Sequence, residues 1–170
     1  MIGLGLEQAL SYAVPALTEA VRPALVARYK HYFLSQDQTI PLFDQAAQTI
    51  MDLHGAGYQL AVATGKSRAG LERVLESSQL RPYFHTTRTA DQTFSKPHPA
   101  MLLEIMDELG VEASRTLMIG DTSHDILMAH NAGVDVVAIG HGAHCASDLQ
   151  ALNPLGLVDD LAGLRVWLGM

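Results

Sequence analysis

The run Thr116-Leu-Met-Ile-Gly-Asp-Thr-Ser-His-Asp125 constrains what this chain can fold into more than any other stretch. An apolar segment stops at Gly120, a carboxylate follows at once, and a second comes four residues later, where helical spacing begins. A short apolar run closed by glycine and followed by a helix reads as one strand of a parallel α/β sheet. In such sheets the carboxyl ends of the strands form the crevice where ligands sit. Asp121 at that end suits a hard cation, because Mg²⁺ takes oxygen ligands and few of them need come from protein. Asp125 falls one helical turn on and faces the same way. The plainer reading is that Asp121 or Ser123 caps the helix. Capping accounts for one acidic residue well and for a spaced pair poorly, so the pattern favours a metal site.

Two upstream segments point the same way. Tyr58-Gln-Leu-Ala-Val-Ala-Thr-Gly-Lys66 reads as a buried strand ending in a hydroxyl, then Gly65, then a cation. Thr64 and the backbone N–H groups after it could bind a phosphate oxygen, as helix N-termini do. In Ser95-Lys96-Pro97-His98-Pro99 a lysine is pinned in a turn ahead of the helix expected from Ala100 to Leu109. Its ammonium suits a phosphate or the carboxylates around it. Surface solubility is the default role of any one lysine. The order strand-Thr, Lys-Pro, strand-Gly-Asp-x-x-x-Asp argues against it here.

The remaining pattern divides the chain at about residue 38. From 1 to 38 there is no strand patterning. Ala9, Leu10 and Ala13 keep helical spacing until Pro15, and Leu25, Tyr29, Tyr32 and Phe33 do so again after Pro23. This part reads as a small helical cap, with Ser35-Gln-Asp-Gln-Thr39 as its hinge. From 39 to 170 strands and helices alternate. Helices are expected over Asp44 to His54, Ala69 to Ser77, Ala100 to Leu109, Ser123 to Ala132, Ser147 to Leu152 and Leu161 to Leu168. Strands are expected over Gln59 to Thr64, His85 to Arg88, Thr116 to Ile119, Val134 to Ile139 and Gly156 to Val158. Alternating βα units imply an α/β fold, a doubly wound parallel sheet with helices on both faces.

With these motifs in place, the chain resembles the haloacid dehalogenase-like phosphohydrolases, and most closely the phosphoglycolate phosphatase-like branch with a helical cap. Thr64 matches the family's second motif, Lys96 the third, and Asp121 with Asp125 the fourth; the similarity runs from about Leu4 to Leu168. The family's first motif, Asp-x-Asp-Gly-Thr after a strand, has no counterpart in this sequence. Before Thr64 the acidic residues are Glu7, Glu19, Asp37, Asp44 and Asp52, and none of them precedes Gly-Thr. The opening Met1 to Leu10 resembles the middle of the cap instead. The expectation is a partial cap (1–38) on a core (39–170) that lacks its first, nucleophile-bearing strand, as a truncated chain would.

The resemblance implies phosphoryl transfer through an aspartyl-phosphate, a covalent route that splits one displacement into two easier ones. Mg²⁺ would sit on Asp121, with Asp125 as an outer-sphere ligand or as the partner of Lys96. Thr64 would donate to the phosphoryl group with help from Gly65 and Lys66, and Lys96 would neutralise its charge. The substrate would be a small phosphorylated metabolite. The missing strand leaves the second and fourth motif strands with unpaired edges, which a separate N-terminal fragment or a swapped strand could fill. A catalytically inactive member acting as a binding protein and a phosphomutase stay open as alternatives.

Composition narrows the partners. Lys+Arg 11 against Asp+Glu 18 gives a net charge of −7, which argues against nucleic acid or an anionic membrane. The single Cys145 permits no internal disulfide and fits a reducing cytoplasm. No signal-peptide pattern and no membrane-spanning run is visible. His141-Gly-Ala-His144-Cys145 holds donors zinc could use, yet such sites need three or four and no second cluster is evident. His141 follows a strand and could line the cleft. Arg68 could touch substrate or merely begin a helix, and Trp167 is expected to pack the last helix.

Overall fold

Side chains alternate across each strand, so apolar residues two apart face one helical layer and those between face the other. In the computed structural model, which describes residues 6–16, 18–36 and 41–170, that rule accounts for most of the core. The strands are β1 (Ala61–Thr64), β2 (Thr86–Thr89), β3 (Leu117–Gly120), β4 (Asp135–Ile139) and β5 (Gly156–Val158). Met118 of β3, Val136 and Ala138 of β4, and Leu157 of β5 join one cluster with Met101, Leu102, Ile126, Met128 and Ala129. Leu117, Ile119, Val137, Ile139 and Val158 turn the other way, onto Leu161, Leu164 and Leu168. β1 divides likewise, with Ala63 facing the first cluster and Val62 packing against Leu71, Leu75 and Leu80.

The helices that form these layers are α3 (Ala46–Gly55), α4 (Arg68–Ser77), α5 (Ala100–Leu109), α6 (Ser123–Ala132), α7 (Ala146–Gln150) and α8 (Leu161–Trp167). α3, α4 and α8 lie on one face and α5 and α6 on the other. Arg165 of α8 reaches Asp52 of α3 at 2.6 Å. All strand pairs are parallel. The expected α/β architecture, a parallel sheet wound on both sides by helices, is therefore what forms.

The sheet is split. Among the described residues β1 pairs only with β2, with Ala61 opposite Thr86 and Thr64 opposite Thr89. β3, β4 and β5 form a second sheet, with Leu117 opposite Asp135 and Val137 opposite Gly156. Among the described residues nothing hydrogen-bonds β1 to β3. The two sheets are joined through the helical layer beneath, where Met101, Leu102 and Met106 of α5 share a cluster with Ala63 and Met118.

Where boundaries depart from expectation, local chemistry explains them. β1 begins at Ala61 and not Gln59, because the Leu60 N–H goes to the His85 ring (Nδ1, 3.1 Å). α3 begins at Ala46 and not Asp44, because Gln45 is left-handed (φ 63°). α5 and α6 take the expected limits, each stopped by a left-handed glycine, Gly110 and Gly133.

Residues 6–36 carry α1 (Leu6–Ala13) and α2 (Arg22–Gln36), two helices where two were expected. Arg22 hydrogen-bonds Ser11 at 3.0 Å, and Tyr12, Val21, Tyr29 and Tyr32 are exposed. Most of the expected hinge, 37–39, lies outside the described residues. No helix among those described is long and apolar enough to cross a membrane.

Candidate active site

The four residues that sequence assigned to chemistry all lie at a strand's carboxyl end, in the loop after it or in the first turn of the following helix. Thr64 ends β1, Asp121 directly follows β3, Asp125 is in the first turn of α6, and Lys96 lies in the β2–α5 loop.

Lys96 and Asp125 are brought together. Lys96 Nζ donates to Asp125 Oδ1 at 2.5 Å, and the two side chains are 8% and 4% exposed. A pair so far from water is stable only when its remaining donors and acceptors are met. The second carboxylate oxygen, Oδ2, accepts from Thr122 N (3.1 Å) and Thr122 Oγ1 (2.7 Å). The Thr122 hydroxyl accepts in turn from Asp125 N, which closes a capping box. The N-cap is thus Thr122, neither of the two residues that sequence offered, and both Asp125 oxygens are engaged. Gly120 makes room: a Cβ there would lie 2.3 Å from the Asp125 Cβ. Lys96 has three N–H donors and only one is engaged among the described residues, so two remain for a ligand. Asn131 steadies this loop by donating to the Pro97 carbonyl at 3.0 Å.

Asp121 is half-buried and differently held. Its Oδ2 accepts from Ala143 N at 2.8 Å, while Oδ1 has no hydrogen-bond partner among the described residues. Gly142 lies so close that a Cβ would fall 2.1 Å from the Asp121 Cβ. Asp121 also borders a cavity of about 160 Å³ lined by Ile119, Gly120, Ile139, Leu161, Phe43 and His141. Phe43 and His141 stack at 4.4 Å over this space. A free oxygen donor suits Mg²⁺, which keeps most of its waters when few carboxylates are present. No group of three His, Cys, Asp or Glu residues among those described could hold a metal alone, so the fit is that of a single protein ligand.

The third component sits across the split. Thr64 Oγ1 accepts from Lys66 N at 3.1 Å, which leaves its own hydrogen free to donate. Gly65 and Lys66 form the bend out of β1, and Ser67 caps α4. The first N–H of α4, on Arg68, is occupied by Asp91 (2.9 and 3.1 Å). Burial would raise the Asp91 carboxyl, but hydrogen bonds from Thr89 and the Arg68 backbone hold it below the usual range. The Arg68 guanidinium binds Glu72, Thr87 and Gln92 and so braces the β2 loop. No hydrogen bond or ion pair among the described residues joins Thr64 to Lys96, Asp121 or Asp125.

Sequence reasoning missed the loop Gly140–Cys145 as a partner of Asp121. His144 Nδ1 accepts from Ser123 N at 3.1 Å, and His144 N donates to the Asp121 carbonyl at 3.3 Å. Burial, and then the neighbouring His144, lower the pKa of His124. The available signal was the pair Gly140 and Gly142 just past a strand. Trp167 is 42% exposed and lies over Gly156, where a Cβ would meet the indole nitrogen at 2.8 Å.

Comparison with known proteins bears on the family and the fold. The family profile for haloacid dehalogenase-like hydrolases matches residues 1–139. A relative named "Probable phosphatase IndB", from Dickeya dadantii, is 39% identical over 166 residues, covering 93% of this chain and 71% of that protein. A phosphoglycolate phosphatase from Vibrio parahaemolyticus is 32% identical over 134 residues, covering 78% of this chain and 59% of its own length, so the chain spans less than two thirds of that relative. A crystal structure of a hydrolase from Pseudomonas syringae superposes with a TM-score of 0.89 at 20% identity, covering 99% of this chain and 79% of that one, and shares the fold.

Proposed function

This chain belongs to the haloacid dehalogenase-like hydrolases, and from that premise we propose that it is part of a Mg²⁺-dependent phosphatase acting on a small phosphorylated metabolite, of the phosphoglycolate phosphatase type. One observation carries the proposal: among the described residues the buried Lys96–Asp125 pair keeps an ammonium with two free donors near a strand end where Asp121 presents an unpaired oxygen.

The roles follow from that geometry. Asp125 holds Lys96 in place and is itself held by Thr122, so the ammonium approaches an anion without rearrangement. Thr64 donates its free hydroxyl hydrogen to a phosphoryl oxygen, and Gly65 and Lys66 shape the turn that receives it. Asp121 Oδ1 is the metal ligand. Mg²⁺ bound there would offset repulsion between the phosphate and the carboxylates. A carboxylate oxygen attacks phosphorus and the P–O bond to the alcohol breaks. A general acid gives its proton to the departing alcohol, and water, returning a proton to that group, then cleaves the acyl phosphate to release inorganic phosphate and restore the carboxylate. On this reading the attacking carboxylate comes from a segment outside these 170 residues, and its support is that their sequence contains no Asp-x-Asp-Gly-Thr run.

The same reading assigns the space between β1 and β3 to that segment, as a separate N-terminal fragment or a swapped strand. Its support is that each of the two strands is paired on one side only among the described residues. An exposed Cys145 thiol suits a reducing compartment, and we place the protein in the cytoplasm.

An aryl phosphate assay with Mg²⁺ tests the proposal. Alone, the chain is expected to give no turnover. Joined to a strand carrying Asp-x-Asp-Gly-Thr, it should release phosphate, and Asp121→Ala should abolish that. Turnover by the chain alone, lost on Asp121→Ala, overturns the external nucleophile. Silence of the joined protein favours a binding role, and transfer of phosphate to a second site on the substrate favours a mutase.

A further inference from the structure

The loop Gly140–Cys145 is anchored on two sides. Toward β5, Gly140 N donates to the Val158 carbonyl at 2.8 Å and His141 N to the Asp159 carbonyl at 3.0 Å, which extends the ladder past the strand. Toward β3 it makes three contacts. Ala143 N donates to Asp121 Oδ2 (2.8 Å), His144 N donates to the Asp121 carbonyl (3.3 Å), and His144 Nδ1 accepts from Ser123 N (3.1 Å). The Ser123 N–H is one of the unpaired donors that every helix start leaves, and a ring from a distant loop takes it here. Gly142 is in van der Waals contact with the Asp121 side chain and admits no Cβ.

We infer that His144 is a positioning residue that locks this loop onto the β3–α6 junction, so that Ala143 holds one oxygen of Asp121 and the other, Oδ1, is turned toward a ligand. The inference rests on the proposed role of Asp121. A carboxylate at a strand end has two rotatable bonds, and holding it by one oxygen selects the direction of the second. Outer partners of this kind set ligand orientation, and removing one typically weakens metal affinity about 10–100-fold. The Nδ1 acceptor distinguishes this role from simple packing. Asparagine carries an acceptor at nearly the same distance from the backbone, whereas alanine and phenylalanine carry none.

The test uses the whole chain and Mn²⁺ alone, titrated by electron spin resonance, together with amide hydrogen exchange in the absence of metal. Wild type should bind Mn²⁺, and Asp121→Asn should not. His144→Ala should bind about tenfold more weakly and expose the Ala143 amide to exchange. His144→Asn should restore both. If His144→Ala does not fold, His144→Phe, which keeps a ring and lacks the acceptor, is read in its place. Wild-type affinity and Ala143 protection in the acceptor-free variant, alongside loss in Asp121→Asn, would overturn the clamp and leave the role of Asp121 standing. Mn²⁺ binding unaffected by Asp121→Asn would overturn the role of Asp121 and the clamp with it.

Discussion

β2 and β3 are built in opposite ways. β2 is polar, Thr-Thr-Arg-Thr, yet Thr86, Thr87 and Thr89 are all buried. β3 is apolar, Leu-Met-Ile-Gly, yet all four residues are only half-buried. β2 is a managed edge: Arg88 pairs with Glu104 at 2.8 Å and Glu108 at 2.7 Å, and Thr86 donates to Glu108. Charge along an outer strand discourages further pairing. β3 has the composition of a central parallel strand, where both faces and both edges are covered. Its neighbour β4 has that setting and buries Val136 to Ile139. β1, Ala-Val-Ala-Thr, shares the character of β3 and also stays half-buried. Among the described residues β1 and β3 are each paired on one side only, and they carry Thr64 and lead into Asp121; the strand proposed above would cover both.

Both sides also use ion pairs, and these give the largest contrast. Asp125→Ala strands a buried ammonium and opens the capping box, and it should destabilise the chain by about 3–5 kcal/mol in urea unfolding. Arg88→Ala, facing carboxylates 43% and 48% exposed, should cost far less. Equal losses would mean that the β3 side is as wet as the β2 edge.

Two isoleucines on adjacent strands sharpen the point. Ile139→Ala on β4 should cost about 2–5 kcal/mol. Ile119→Ala on β3 should cost clearly less in the chain alone and approach the Ile139 value once a strand fills the slot. Equal costs without such a strand would show that β3 is already covered.

The smallest effect lies between α3 and α8. Hydrogen bonds from Arg165 and then Gln48 hold the Asp52 carboxyl below its usual range. A lowered carboxyl stabilises the folded state above its unfolded pKa and loses that contribution as pH falls through the folded value. Thermal midpoints of wild type and Asp52→Asn should therefore differ near neutral pH and converge under acid, below about pH 4. A gap that persists or widens in acid would refute the assignment.

Sequence alone determined what short-range chemistry dictates. Helix α5 follows Pro99 and helix α6 ends at Gly133, because these residues restrict backbone angles locally. The order of strands and helices and their parallel pairing were legible for the same reason, since each strand's apolar run and each turn is a local signal, and the same signals placed Thr64 at a strand end, Lys96 in a turn and Asp125 at a helix start. Only the tertiary structure decided that Lys96 meets Asp125, that Thr122 is the cap, that His85 shortens β1, and that Ala143 and His144 grip Asp121. Apart from the cap, those contacts join residues on different elements, 22 apart for Ala143 and Asp121 and 29 apart for Lys96 and Asp125. Their geometry depends on how helices pack across a sheet, and no periodicity along the chain encodes it.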